Sequence, residues 1–190
     1  MVSTTDPGRV CPVTVLLLVG PPGAGKSTLA GQVRRRWGWP VVCLDVMRAA
    51  VCGDAADLSA TALAVQLAVT AVAEHLTVGR SVVIDATNAV AGDRRTWLDL
   101  AARHGARTVA VLILPSLATC QARNAGRTRV VPAEVVATMH GHVRGAVAVL
   151  PGEVDHLLTA AALRRLLTTT PDPSPDAITG RSQRQHREGT

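Results

Sequence analysis

An α/β fold, a parallel sheet flanked by helices, is predicted by three features of the 190-residue sequence. Short apolar runs alternate with helical patterns from Val13 onward, which is the arrangement of βαβ units. The first run, Val13 to Val19, is almost unbroken in apolar character, as a strand buried on both faces requires. It leads straight into a glycine- and proline-rich turn, GPPGAGKS at 20–27, and then into a helical pattern.

The elements follow in order. A helix is expected from about Ser27 to Trp37, then a strand Val41 to Leu44 that ends on Asp45. A short helical piece and the long apolar stretch Ser59 to Val78 come next. That stretch carries Gln66, Glu74 and His75 in a helical rhythm, so it reads as a buried or half-buried helix and not as a membrane span. Ser81 to Ile84 forms a third apolar run and ends on Asp85. Asp93 to Arg103 reads as a surface helix with Trp97, Leu98 and Ala101 turned inward. Thr108 to Leu114 is a further strand, and Pro115 with Ser116 opens a helix through about Asn124. Pro132 suits the first position of a helix running to about Val147. Val154 to Leu158 is expected as a last strand and Thr159 to Leu167 as a closing helix. Residues 1–12 are expected to be a flexible N-terminus, 13–170 one domain, and 171–190, PDPSPDAITGRSQRQHREGT, a disordered tail.

Composition removes other classes. With 47% hydrophobic and 18% charged residues the body can bury a core. The N-terminus carries no charged segment followed by a long apolar run, so no secretory signal is visible. Cys11, Cys43, Cys52 and Cys120 lie 32, 9 and 68 residues apart, which fits neither a zinc site nor a disulfide framework; reduced thiols in a cytoplasmic protein are expected. The six His are read as surface or structural, and His140 and His142, two apart on a helix, point in different directions. The net charge of +6 belongs entirely to residues 1–170, because the tail balances to zero. Of the twenty basic residues, nineteen are Arg and one is Lys26. A slim ammonium and a planar guanidinium are not interchangeable, so the exception marks a place where Arg does not serve.

Lys26 lies in a G-x-x-x-x-G-K-S pattern placed after a buried strand and opening a helix, the context that makes it a phosphate-binding loop. Glycines let successive N–H groups converge on an anion, and the helix N-terminus adds partial positive charge. Gly20, Gly23, Ala24, Gly25, Lys26, Ser27 and Thr28 therefore form the expected ATP cradle. Lys26 reaches the β and γ phosphates, and Ser27 supplies a hydroxyl for Mg²⁺. Asp45 closes the second strand with Arg48 three residues on, so both face one side of a helical turn. A carboxylate at that sheet edge can take a proton from an attacking hydroxyl, and Arg48 can hold an anionic acceptor or offset charge on the transferred group. A helix cap with a solvated Arg partner is the alternative for this pair. VVIDATN at 82–88 has the form of a Walker B strand: Asp85 is placed to hold Mg²⁺ through a ligand water, or else caps the strand, and Thr87 and Asn88 can bond loop backbone or substrate. Arg123, Arg127 and Arg129 bracket a Gly-containing turn, either as a phosphate-covering lid that excludes water or as a solvated cluster.

Over residues 13 to 150 the chain resembles the P-loop polynucleotide 5′-hydroxyl kinases, a branch of small P-loop kinases that also includes toxin-type relatives. The motifs stand in the same order: GPPGAGKST, LDVMR, VVIDATN, then CQARNAGRTRVVPAEVVATM, whose R-N-x-x-R before V-P and a helix is the most specific. The resemblance implies a P-loop NTPase fold and an ATP- and Mg²⁺-dependent kinase. Asp45 matches the general base for the 5′-OH, Arg48 the contact to the acceptor phosphate, Arg127 the lid arginine on the ATP phosphates, and Arg123 a supporting position. The implied acceptor is a polynucleotide 5′-OH end. A metabolite or antibiotic hydroxyl is the alternative within enzymes, and an ATP-binding regulatory protein the alternative outside them. Those relatives join the kinase to a phosphatase or ligase, which is not expected here, and the sequence has no Phe or Tyr to stack a base; Trp37, Trp39 and Trp97 are expected to be packing residues, and no membrane partner is expected.

Overall fold

The computed structural model describes residues 13–53 and 58–169. The expected flexible N-terminus 1–12, with Cys11, and the expected disordered tail 171–190 lie outside the described residues. Strands β1 (Thr14–Val19), β2 (Val41–Cys43), β3 (Val82–Asp85), β4 (Arg107–Leu112) and β5 (His156–Thr159) form a parallel sheet in the order β2-β3-β1-β4-β5. Between them run α1 (Lys26–Trp37), α2 (Leu44–Cys52), α3 (Thr61–Thr77), α4 (Ala91–Arg103), α5 (Leu117–Ala125), α6 (Ala133–Ala146), the single turn α7 (Leu150–Glu153) and the closing α8 (Ala160–Thr169).

The unbroken apolar character of β1 has its cause in the pleat. Successive side chains point to opposite faces, so Leu16 and Leu18 pack with Leu29 and Val33 of α1 and Leu163 of α8, while Val15 and Leu17 pack with Ala68 and Val72 of α3 and Trp97 of α4. The helices thus cover both faces of the sheet, and β1 is buried throughout. The long apolar stretch becomes α3, whose buried residues Ala64, Ala68, Val72 and Leu76 recur every fourth position on one face. Among the described residues, no helix is long and apolar enough to cross a membrane. Trp37 and Trp39 are buried with ring centroids 5.1 Å apart, and Trp97 is buried beneath α4, so all three tryptophans are packing residues. His140 on α6 bonds the Pro115 carbonyl through Nε2 (2.9 Å) and serves a structural purpose.

Several boundaries differ from the sequence expectation. β2 stops at Cys43, and α2 starts at once, so Asp45 lies in the first turn of a helix and does not terminate a strand; the carboxylate there complements the helix dipole. Pro132 is the cap of α6 and not its first residue. β5 starts two residues later than expected because α7 takes up residues 150–153. In α4, Leu98 is only half-buried, while Leu100 and Arg94 join Trp97 and Ala101 inside.

Arg94 is 1% exposed and is met on every side. Its Nε and Nη2 donate to the Glu153 carboxylate (2.6 and 2.9 Å), and its Nη1 donates to the carbonyls of Asn88 and Ala89 (3.0 and 2.9 Å). Nearby, the Asn88 side chain donates to the Leu18 carbonyl (2.9 Å) and accepts from Trp97 Nε1 (3.2 Å). Asn88 has φ +47°, and these bonds hold it there. It is therefore a backbone-bonding residue of the fold. The Arg94 guanidinium holds the Glu153 carboxyl below its usual range. The pair's contribution to stability is therefore complete above the unfolded carboxyl pKa of about 4.3 and drains away as pH falls through the lower folded value. Glu153→Gln is expected to cost roughly 1 to 3 kcal/mol at neutral pH, because it leaves a buried guanidinium without its counter-charge. Urea unfolding at pH 7 and at pH 3 checks this: the gap between wild type and variant should close on acidification, and a gap that stays constant removes the ion pair as its cause.

Candidate active site

The phosphate-binding loop follows β1 over residues 20–27, its last two residues opening α1. Gly20 and Gly23 are demanded by close approach: a Cβ on Gly20 would lie 2.5 Å from the Ile113 carbonyl oxygen, and one on Gly23, where φ is +77°, would lie 2.1 Å from that of Cys120. Ala24 is buried beneath the loop, Gly25 takes φ +101°, and Ser27 and Thr28 are exposed at the start of α1. Gly20 N–H donates to the Thr87 carbonyl (3.1 Å), which ties the loop to the turn after β3. The Lys26 ammonium curls back over the loop and donates to the carbonyls of Gly20 (2.9 Å) and Pro21 (3.0 Å).

The charged groups expected from the sequence converge here. Asp85 ends β3 in register with Cys43 of β2, at the C-terminal edge of the sheet, with the Ser27 side chain near its carboxylate. Burial raises the Asp85 pKa, against the Ser27 hydroxyl and the Lys26 charge, which lower it. Burial lowers the Lys26 pKa; Asp85 opposes that shift, Arg127 adds to it, and Asp45 opposes it. Lys26, Asp85, Asp45 and Arg127 therefore share one electrostatic field. Asp45 is half-buried and pairs with Arg48 within α2 and with Arg129 from the loop between α5 and α6 (3.4 Å). Arg123 is exposed on the last turn of α5, and its charge lowers the pKa of the Cys120 thiol, which burial raises.

Two partnerships at the site go beyond the sequence expectation, which names Arg129 only as one of the arginines of the Gly-containing turn. Arg129 reaches Asp45, which spacing along the chain cannot show, since the two are 84 positions apart. Asn124 is buried and bonds Val131 across the Arg-bearing loop; its one signal was its place inside R-N-x-x-R.

The donor set suits a magnesium nucleotide. A hydroxyl and a carboxylate, Ser27 and Asp85, stand together beside a loop of backbone N–H groups, and hard oxygen donors with few protein ligands are what Mg²⁺ takes. No cluster of three or more His, Cys, Asp or Glu side chains with metal-binding potential occurs among the described residues.

Comparison with known proteins agrees with this architecture. A family model described as an AAA domain matches residues 15–145. No curated protein matches the sequence. Among solved structures, a chain of the Pnkp1/Rnl/Hen1 RNA repair complex superposes with a TM-score of 0.63 at 20% identity, covering 75% of this chain and 47% of that one. A kinase described as putative from Chloroflexus aurantiacus gives 0.57 at 15% identity, covering 79% and 88%. A gluconokinase from Sinorhizobium meliloti gives 0.55 at 18%, covering 90% and 93%. The chain thus spans about half the length of the RNA repair protein and nearly all of the other two, and at these identities the likeness is one of fold.

Proposed function

The chain belongs to the AAA domain family, and from that premise we propose that it is an ATP-dependent kinase that moves the γ-phosphoryl group of ATP to a hydroxyl, with a polynucleotide 5′-OH end as the acceptor. The observation that carries the proposal is the position of Asp45. A nucleotide switch needs the cradle alone, whereas here a half-buried carboxylate stands at the sheet edge within the field of Lys26 and Asp85 and gathers Arg48 and Arg129 around it.

The acceptor oxygen attacks the γ-phosphorus, its proton passes to Asp45, and the bond to the β,γ-bridging oxygen breaks to release ADP. Lys26 swings from its own loop carbonyls to the β and γ phosphates, exchanging two neutral acceptors for anionic ones. Arg127 covers the phosphates from the lid, and Arg123 supports it from α5. Ser27 and Asp85 would hold Mg²⁺, which when bound offsets phosphate charge. Arg48 and Arg129 have affinity for an anion beside the hydroxyl, as their present partner shows: Asp45 supplies a carboxylate where an acceptor phosphate would otherwise compete for them.

The body's positive charge supports a polyanionic acceptor. A second reading, a small-molecule hydroxyl, is favoured by the burial of all three tryptophans in a chain without Phe or Tyr, which leaves no exposed Trp, Phe or Tyr ring to stack a base. The gluconokinase, which shares the fold, bears a name of that class. The test incubates the protein with Mg²⁺ and γ-labelled ATP against 5′-OH RNA, 5′-OH DNA and a panel of sugars and antibiotics. Label on the oligonucleotide end supports the first reading, and label confined to the panel rejects it.

A further inference from the structure

We infer that Asn124 is the positioning residue of the lid: its buried side chain clamps the Arg127- and Arg129-bearing loop shut, so that the lid moves as one closed unit already set in register with the phosphate loop. The inference rests on the kinase reading above and adds a residue to it.

Asn124 is 3% exposed, and a carboxamide that deep must spend both of its ends on partners. It spends both on one residue. Its Nδ2 donates to the Val131 carbonyl (2.7 Å), and its Oδ1 accepts from the Val131 N–H (3.2 Å). The side chain thus pairs with that backbone as a second strand would, across the loop at 125–130. The Asn124 carbonyl also accepts the N–H of Arg127 (3.1 Å), which fixes the near side of the same loop. The far side is anchored too: Val131 packs against the core beneath the sheet, and Pro132 caps α6, its carbonyl accepting from Val136 N–H (3.1 Å).

Position along α5 supplies the register. Cys120 and Asn124 are its two buried residues, one helical turn apart on the same face. The Cys120 carbonyl sits where a side chain on Gly23 would otherwise be, in direct backbone contact with the phosphate loop. One end of α5 is therefore set against the cradle and the next turn grips the lid, so the helix transmits the place of the phosphates to the arginines that cover them. Arg127 is exposed and Arg129 half-buried, with Arg129 held only by its ion pair to Asp45 (3.4 Å), so neither is ordered by packing and the clamp fixes the backbone that carries them.

Asn124→Ala and Asn124→Asp test this. The second keeps the side-chain shape but presents a carboxylate to the Val131 carbonyl. The readouts are limited trypsin cleavage after Arg127 and Arg129, the thermal midpoint, and kcat and KM for ATP in transfer. Both variants should be cut in this loop roughly tenfold faster than wild type, the gain expected when a pair of net hydrogen bonds worth about one order of magnitude is lost. Transfer kcat should fall by a similar factor while KM for ATP moves less than about threefold, because the cradle itself is untouched. Cleavage and kcat equal to wild type in a folded variant would overturn the inference, as would a fall in thermal midpoint with no change in either. If Asn124→Ala fails to fold, the shape-conserving Asp variant carries the test. Absence of transfer in the wild type would count against the kinase reading alone, since the proteolysis still reports on the clamp.

Discussion

Lys26→Ala should lower phosphoryl transfer by about three orders of magnitude, some 4 kcal/mol of transition-state stabilisation, and Lys26→Arg should be nearly as damaging. The ammonium is half-buried, and its pKa is lowered chiefly by that burial. A charge so placed acts more strongly on a developing phosphate charge than it would in water. It lies 2.9 and 3.0 Å from two carbonyls of its own loop, and the swing from there to the phosphates needs a slim, rotatable stem. A guanidinium is broad and planar, carries five donors in a fixed fork, and matches neither of those positions. The measurement is kcat/KM for ATP in each variant, beside circular dichroism to show that the fold is retained. Wild-type turnover in Lys26→Arg would mean that the phosphate loop tolerates any cation there, and the single lysine would lose its chemical meaning.

Asp45→Asn is expected to lower kcat by roughly 10²- to 10⁴-fold while leaving ATP affinity within about threefold of wild type. The reason lies in when each group acts. In the proposed site ATP is to be bound through Lys26, Ser27 and backbone N–H groups, none of which is bonded to Asp45, whereas a base contributes only as the acceptor proton moves. The substitution keeps the shape of the side chain and removes the charge that pairs with Arg48 and Arg129. If ATP binding collapses and transfer per bound ATP survives, Asp45 acts as a structural tie between α2 and the lid.

Much of the molecule was legible from local pattern. Residues buried on both faces leave β1 as an apolar run, α3 shows its buried face every fourth residue, and the glycines of the loop stand where backbone meets backbone. What was not legible depends on partners distant in the chain. Arg94 reads as a solvated charge on a surface helix because Glu153, its counter-ion, is 59 positions away and lies on a helix of a single turn. Arg129 reads as one of several loop arginines until α2 brings Asp45 to it. Asp45 itself was placed at a strand end, because a three-residue strand running straight into a helix leaves no turn signal between them. For Arg94 and Arg129 the residue type was visible and its partner was not.

In the proposed kinase, bound ATP gives its γ-phosphoryl group to an acceptor held beside Asp45, and not to water. A single-turnover experiment tests it most directly: the protein is loaded with γ-labelled ATP and Mg²⁺, chased with a saturating 5′-OH oligonucleotide, and the label is divided between the oligonucleotide end and inorganic phosphate. The label is expected to leave almost entirely on the oligonucleotide in wild type and to stay on ATP in Asp45→Asn. Label released as inorganic phosphate at the same rate with and without Asp45, whatever hydroxyl is offered, would contradict it.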